Sequence, residues 1–205
     1  FWTRMPWNPR EALADGFRLI GMDQRNAGRS VAPVSASDGW ATYRDDQLGL
    51  LDELGIERCH VLGMCIGGPY VVGLLTTDPG RFASAVLLQP VGVDDDNREL
   101  FLDGFDKWSA ELADAHPEAT AEDWAAFRGN MWNGEFVVTA TREQVAAIEV
   151  PMLVAMGNDE FHPQHTSREI AALAPDVTFI EQWKDDESLP ATDAAIKQFL
   201  TEHTP

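Results

Sequence analysis

The stretch Gly63-Met64-Cys65-Ile66-Gly67-Gly68 directly follows an apolar run, residues 59–62. Its G-x-C-x-G spacing is that of a nucleophile elbow, a sharp turn between a strand and a helix, with cysteine in the position of serine. Glycines at positions 63 and 67 leave room for such a turn, and Gly68 lets the helix approach the sheet closely. The stretch therefore predicts a strand, a tight turn that carries Cys65, and a helix.

Cys65 is the candidate nucleophile of this turn. The N-terminus of the following helix adds positive potential, which is expected to lower the pKa of the thiol. The backbone N–H of Ile66 is the predicted oxyanion donor, because it directly follows the nucleophile. Alternatively, Cys65 is an inert, buried cysteine in a glycine-rich turn, and the motif alone leaves both interpretations open.

Apolar segments of strand length alternate with helical patterns over most of the chain. Five segments are predicted to be strands: residues 17–22, 59–64, 83–88, 151–156 and 177–181. This alternation favours an α/β fold with a doubly wound, mostly parallel sheet. Residues 94–146 are instead acidic, tryptophan-bearing and helical in pattern. We therefore predict a helical cap at 94–146, inserted into a discontinuous core of residues 1–93 and 147–205.

The charge balance excludes several classes of partner. The chain has 34 acidic and 15 basic residues, a net charge of −19, which repels phosphate backbones and anionic lipids. Neither nucleic acid nor a membrane is therefore an expected partner. Cys59 and Cys65 lie too far apart along one predicted strand to form a disulfide, which fits a cytoplasmic protein. Residues 94–96, three aspartates, are interpreted as a solvated edge, and neither a metal nor a cofactor is expected.

Two further stretches give the turn a family context. Asp23-Gln24-Arg25-Asn26-Ala27-Gly28-Arg29-Ser30 is similar to the D-x-R-G-x-G-x-S loop of the α/β-hydrolase fold superfamily, with Asn26 in place of its first glycine. Residues 63–68 resemble the elbow of those enzymes, and residues 151–159 resemble the strand that delivers the catalytic acid. The chain thus resembles the capped, esterase-like branch, with the less common cysteine nucleophile. The resemblance implies about three strands ahead of Phe1, so the chain is expected to be a fragment, and a signal sequence stays an open question.

The resemblance assigns the catalytic acid to Asp159. It also places a histidine after the last strand, but residues 182–190 contain none. His162 is therefore the candidate base, with His165 as a weaker alternative; otherwise His162 anchors its loop before a helix. Three acids are candidates to orient the ring of His162: Asp159, Asp185 and Asp186.

The predicted cap contains four candidates for substrate binding: Trp108, Trp124, Met131 and Trp132. They either roof an apolar substrate or form the cap's own core. The leading hypothesis is a hydrolase of ester, thioester or lactone bonds in a small, mostly apolar substrate, in which Cys65 attacks the carbonyl while His162 and Asp159 move the proton. The alternatives are a catalytically degenerate homologue that binds a small ligand or a protein partner, and an acyltransferase that uses the same turn.

Overall fold

A computed structural model describes residues 2–204. Within this range the sheet has four parallel strands in the order β1-β2-β3-β4. The strands are β1 (Cys59–Cys65), β2 (Phe82–Pro90), β3 (Met152–Ala155) and β4 (Val177–Ile180). The α-helices are α1 (Pro9–Ala12), α2 (Trp40–Glu53), α3 (Gly67–Thr77), α4 (Arg98–Leu112), α5 (Ala121–Trp132), α6 (Arg142–Ala146), α7 (Gln164–Leu173) and α8 (Leu189–Glu202). None of these helices is long and apolar enough to cross a membrane.

The strand β2 pairs with β1 on one side and with β3 on the other. Ala85 lies opposite Met152 in the register between β2 and β3. Successive residues of a strand point to opposite faces, so Ala85 and Leu87 join one core while Val86 and Leu88 join the other. The uninterrupted apolar sequence of β2 follows from this burial on both faces.

Helices cover both faces of the sheet, as the sequence predicts. On one face, Val72 and Leu75 of α3 share a core with Ile170 of α7. On the other face, Ile196 of α8 packs with Trp7 from the N-terminal segment. The parallel sheet is thus shielded from water on both sides, which leaves its carboxyl edge as the place where polar side chains can converge.

Residues 17–22 do not form a strand, and the prediction of a fifth strand there is wrong. Within residues 2–204 no strand runs beside this stretch, and β1 is an edge of the sheet. A strand is held by backbone hydrogen bonds to a neighbouring strand, so an apolar run without such a neighbour stays irregular. Accordingly, Leu19 and Ile20 are 41% and 42% exposed.

Residues 94–146 contain three α-helices, of which α4 and α5 pack beside α2. Phe105 and Phe127 share a third core with Trp40 of α2. The short α6 lies closer to the sheet, because Val145 joins the core beneath α3. The division of the chain into a core and a cap at residues 94 and 146 stays a prediction.

Candidate active site

Cys65 occupies a strained turn between β1 and α3. It is the last residue of β1, and α3 begins two residues later. Its backbone φ is +58°, in the left-handed region that residues with a Cβ seldom adopt. Such strain persists where the surrounding structure imposes it, and it is concentrated at functional sites. The backbone at Cys65 therefore has the strained strand-to-helix geometry of a nucleophile elbow.

Two of the three glycines around the turn are required by close packing. A Cβ at Gly63 would collide with the carbonyl group of Gly67, and a Cβ at Gly68 would lie 2.5 Å from the Cβ of Pro90 on β2. Around Gly67, an added Cβ would meet nothing within 4 Å. The predicted need for a glycine at position 67 is therefore wrong, and the sharp turn depends on Gly63 and Gly68.

The thiol of Cys65 is partly buried where the sheet meets the helices α2, α4 and α5. Burial raises the pKa of this thiol, the N–H of Ile66 lowers it, and the carboxylate of Asp159 raises it. The N–H of Ile66, at the start of α3, thus lowers the pKa of the thiol as expected, but the increase that burial causes is larger. The expectation of a lowered thiol pKa is wrong, and the resting group is a neutral thiol.

Asp159 and His162 form a hydrogen-bonded pair in the loop after β3. The Oδ1 atom of Asp159 accepts hydrogen bonds from Nδ1 of His162 at 2.6 Å, from the backbone N–H of His162 at 3.0 Å and from that of Phe161 at 3.1 Å. The carboxylate therefore shapes its own loop and orients the imidazole at the same time. Asp185, another candidate for that role, accepts hydrogen bonds from Ser188 instead.

The second ring nitrogen of His162, Nε2, is buried and has no hydrogen-bond partner within residues 2–204. The side chain is only 9% exposed. Burial lowers the pKa of His162, Asp159 raises it, and Lys184 lowers it, with a net downward direction. The neutral ring carries its proton on Nδ1, which faces Asp159, and so presents the lone pair of Nε2. A buried polar atom without a partner is costly. The position of Nε2 of His162 therefore fits a nitrogen that receives a proton or a ligand.

The loop after β4, where the resemblance places a histidine, carries Trp183 and Lys184. Trp183 is buried and donates a hydrogen bond from Nε1 to the carbonyl of Met156 at 2.8 Å. Lys184 donates from Nζ to Oε1 of Gln89 on β2 at 2.7 Å. Both side chains tie this loop to the carboxyl edge of the sheet. Sequence reasoning missed Lys184, whose only signal is a single lysine ahead of three acids.

His165 lies in a different environment. Its Nε2 is 3.2 Å from Oδ2 of Asp94, and its side chain is mostly exposed. It lines a surface cleft of about 130 Å³ together with Arg142 and Glu169. Among residues 2–204, no group of three or more histidine, cysteine or carboxylate side chains is arranged to hold a metal ion. Of the two candidate bases, it is His162 that contacts Asp159.

The four cap candidates belong to the core around α2, α4 and α5 or pack against it: Trp108, Trp124, Met131 and Trp132. The rings of Trp108 and Trp124 meet edge to face, with centroids 6.0 Å apart. Trp132 stacks on Phe101 at 4.7 Å, and Phe101 meets Phe161 of the Asp159 loop at 5.6 Å. Trp132 is thus linked to this loop through one ring, and a role in substrate binding stays a prediction for all four.

The sequence profile of the alpha/beta hydrolase fold matches residues 2–130, more than half of the chain. The chain belongs to this family. A putative carbamate hydrolase, RutD, of Variovorax paradoxus is 37% identical over 84 residues, which cover 40% of this chain and 32% of that protein. Carboxylesterase YbfK of Bacillus subtilis is 23% identical over 201 residues, 83% of this chain and 66% of the relative. The chain thus spans about a third of the length of the carbamate hydrolases that it matches.

Solved structures share the fold over nearly the whole chain. The structure of Rv0554 from Mycobacterium tuberculosis superposes with a TM-score of 0.71 at 18% identity, covering 99% of this chain and 86% of the other. Serine hydrolase CCSP0084 from Cycloclasticus zankles gives a TM-score of 0.70 at 21% identity, covering 93% and 81%. At these identities the likeness establishes the fold.

Proposed function

We propose that this α/β hydrolase cleaves ester, thioester or lactone bonds in a small, mostly apolar substrate, with Cys65 as nucleophile and with His162 and Asp159 as its proton relay. The observation that carries the proposal is the buried Nε2 of His162, which has no partner within residues 2–204 while Nδ1 is bound to Asp159. An oriented imidazole with one free nitrogen is what a neutral thiol needs in order to lose its proton.

The proposed reaction has two halves. In the first, Nε2 of His162 takes the thiol proton as the sulfur of Cys65 attacks the carbonyl carbon, and the N–H of Ile66 donates to the oxyanion. Asp159 stabilises the imidazolium that forms. The imidazolium then protonates the leaving group, which departs and leaves a thioester on Cys65. In the second half, His162 takes a proton from water as the water oxygen attacks the thioester. The imidazolium then returns this proton to the sulfur of Cys65 as the C–S bond breaks and the acid product leaves.

The surroundings of the turn support an apolar acyl group. Ile66 and Phe161 are among the large apolar side chains that stay partly exposed. Ile66 directly follows the nucleophile, and Phe161 lies in the loop that carries the proposed base. The names of two relatives, a carboxylesterase and a putative carbamate hydrolase, support attack on a carbonyl carbon that carries an oxygen or nitrogen leaving group.

The proposal is tested with Cys65→Ala, assayed on p-nitrophenyl acetate, p-nitrophenyl butyrate and a matching thioester. Loss of the nucleophile is expected to lower kcat by at least about 10³-fold. Cys59→Ala is the matched control, because it removes the other cysteine at the opposite end of β1 and is expected to leave the rate unchanged. Equal turnover by wild type and Cys65→Ala contradicts the proposal.

A second candidate, a catalytically degenerate homologue that binds a ligand, is favoured by the raised pKa of Cys65 and by the absence of histidine in residues 182–190. Mass spectrometry after mixing with p-nitrophenyl acetate separates the two. A hydrolase accumulates one acetyl group on Cys65, whereas a binding protein leaves that residue unmodified. The acyltransferase alternative predicts that an added alcohol is acylated in preference to water.

A further inference from the structure

Lys184 is held at the carboxyl edge of the sheet by the strand next to the elbow. Its Nζ donates a hydrogen bond to Oε1 of Gln89 at 2.7 Å. Gln89 is followed by Pro90, which lies opposite Cys65 in the register between β1 and β2. The N–H of Val91 then donates to the carbonyl of Cys65 at 3.1 Å. The residue that holds the ammonium group therefore directly precedes the two residues of this segment, Pro90 and Val91, that lie against Cys65.

In the described part of the chain, the ammonium group of Lys184 contacts uncharged partners, the amide of Gln89 and, at 5.9 Å from the ring centroid, Trp183. Three acids, residues 185–187, directly follow it in a chain with a net charge of −19. Within residues 2–204, however, no carboxylate forms an ion pair with Lys184, and its hydrogen-bond partner is the neutral amide of Gln89. The carboxylate of Asp185 is occupied by the N–H and hydroxyl groups of Ser188. An ammonium group has three donors, so this partly buried cation keeps donors for another acceptor.

The backbone is strained at Gln89, the residue whose side chain bonds to Lys184. Its φ is +40°, in the left-handed region that side chains with a Cβ seldom adopt. Strain of this kind at the carboxyl end of a strand is typical of functional sites. Lys184 also acts on the proposed base, since its charge contributes to the lowered pKa of His162 after the larger effect of burial. The charge of Lys184 is therefore close enough to the imidazole to disfavour its protonation.

We infer that Lys184 binds a carboxylate carried by the substrate, so that the preferred substrates are acyl compounds with a second, ionised acid group. This inference rests on the proposed function. The apolar side chains of Ile66 and Phe161 would then contact the methylene chain between the scissile carbonyl and the distal carboxylate. Half-esters of dicarboxylic acids such as succinate, glutarate and adipate have this chemistry, and their differing chain lengths measure the distance that the site spans.

The kinetic test compares mono-p-nitrophenyl glutarate with p-nitrophenyl valerate, which has the same chain length without the second carboxylate. Lys184→Met is expected to lower the ratio of the two kcat/KM values by about 10- to 100-fold, the range for a hydrogen bond to a charged group. Lys184→Arg is expected to keep most of the ratio. Lys107→Met, which removes a cation from the exposed side of α4, is the control and is expected to leave the ratio unchanged.

Gln89→Glu gives a second and independent variant. It keeps Lys184 and the backbone of β2 but supplies an internal carboxylate at the position of Oε1. This carboxylate is expected to pair with Lys184 and to lower the ratio by a similar factor. An unchanged ratio in both Lys184→Met and Gln89→Glu overturns the inference, and so does an equal loss in Lys107→Met, which would indicate a long-range charge effect.

A binding experiment separates this inference from the proposed function. Calorimetric titration of Cys65→Ala with glutarate measures carboxylate binding without turnover, and Lys184→Met in that background is expected to weaken it by about 10- to 100-fold. Full activity of Cys65→Ala would overturn the nucleophile assignment alone, whatever the titration shows. Glutarate affinity that does not respond to Lys184→Met would overturn the carboxylate site alone.

Discussion

Replacing Gly68 with alanine is expected to destabilise the chain, whereas the same replacement at Gly67 is not. A Cβ at Gly68 would lie 2.5 Å from the Cβ and 2.7 Å from the Cα of Pro90. The proline belongs to β2, so neither its ring nor its backbone can rotate away. At Gly67 an added Cβ meets nothing within 4 Å, and the backbone there is outside the left-handed region.

The magnitude follows from the overlap. Carbon atoms pack at about 3.5–4.0 Å, so α3 must move away from β2 by roughly 1 Å at Gly68→Ala. Such overpacking costs about 1–3 kcal/mol, which for a chain of this size lowers Tm by roughly 2–12 °C. Gly67→Ala instead reduces the conformational freedom of the unfolded chain and is expected to stabilise by about 0.4–1 kcal/mol, raising Tm by roughly 1–4 °C.

The assay is thermal unfolding followed by circular dichroism for wild type and both variants, combined with ester hydrolysis at a permissive temperature. Movement of α3 also displaces the N–H of Ile66 from the sulfur of Cys65, so Gly68→Ala is expected to lower kcat/KM in the folded protein as well. Equal Tm values for the two variants, or a larger loss at Gly67→Ala, would refute the argument that the approach of α3 to Pro90 fixes the elbow.

Two further predictions concern pH. Burial holds the pKa of His162 below its ordinary value of about 6.5. The value of kcat/KM is therefore expected to stay constant as pH falls to about 6.5 and to decline only at lower pH. An inflection above about 6.5 contradicts the assignment of His162 as the base. Burial also raises the pKa of Tyr43 to about 12 and that of Tyr70 well above 10, and these are the two tyrosines of the chain. Absorbance at 295 nm should therefore show no phenolate at pH 10 while the fold is intact. The free energy of unfolding should fall as pH rises from about 10 towards 12, because the unfolded chain loses these protons first. A phenolate signal at pH 10 with unchanged circular dichroism would contradict the burial of the two rings.

Local sequence predicted the parts of the fold that local forces decide. The apolar run of β2 identified a strand buried on both faces, and the glycines around Cys65 identified the strained turn. The spacing of Asp159 and His162 placed both side chains in one short loop, where they now form a hydrogen bond. In each of these cases, the partners lie a few residues apart or the pattern itself reports burial.

The sequence failed where a distant neighbour decides the outcome. Residues 17–22 have the composition of a strand, but within residues 2–204 no strand lies beside them. Gly67 fits the elbow pattern, yet a Cβ added there would meet no atom within 4 Å. This free space depends on the path of α3, which the local sequence does not specify. Lys184 precedes three acids in sequence but bonds to Gln89, 95 positions away, so no local pattern could have predicted its direction.

The charges around the candidate site favour a neutral resting pair. Burial raises the pKa of Cys65 and lowers that of His162, so neither a thiolate nor an imidazolium is stable before the substrate binds. Lys184 adds to this effect, since a nearby positive charge disfavours protonation of the imidazole. A substrate carboxylate bound to Lys184 would neutralise that charge, raise the pKa of His162 and so make Nε2 a stronger base. If both proposals hold, an anionic substrate therefore strengthens the base that acts on it, whereas a neutral ester of the same length meets His162 in its weaker form.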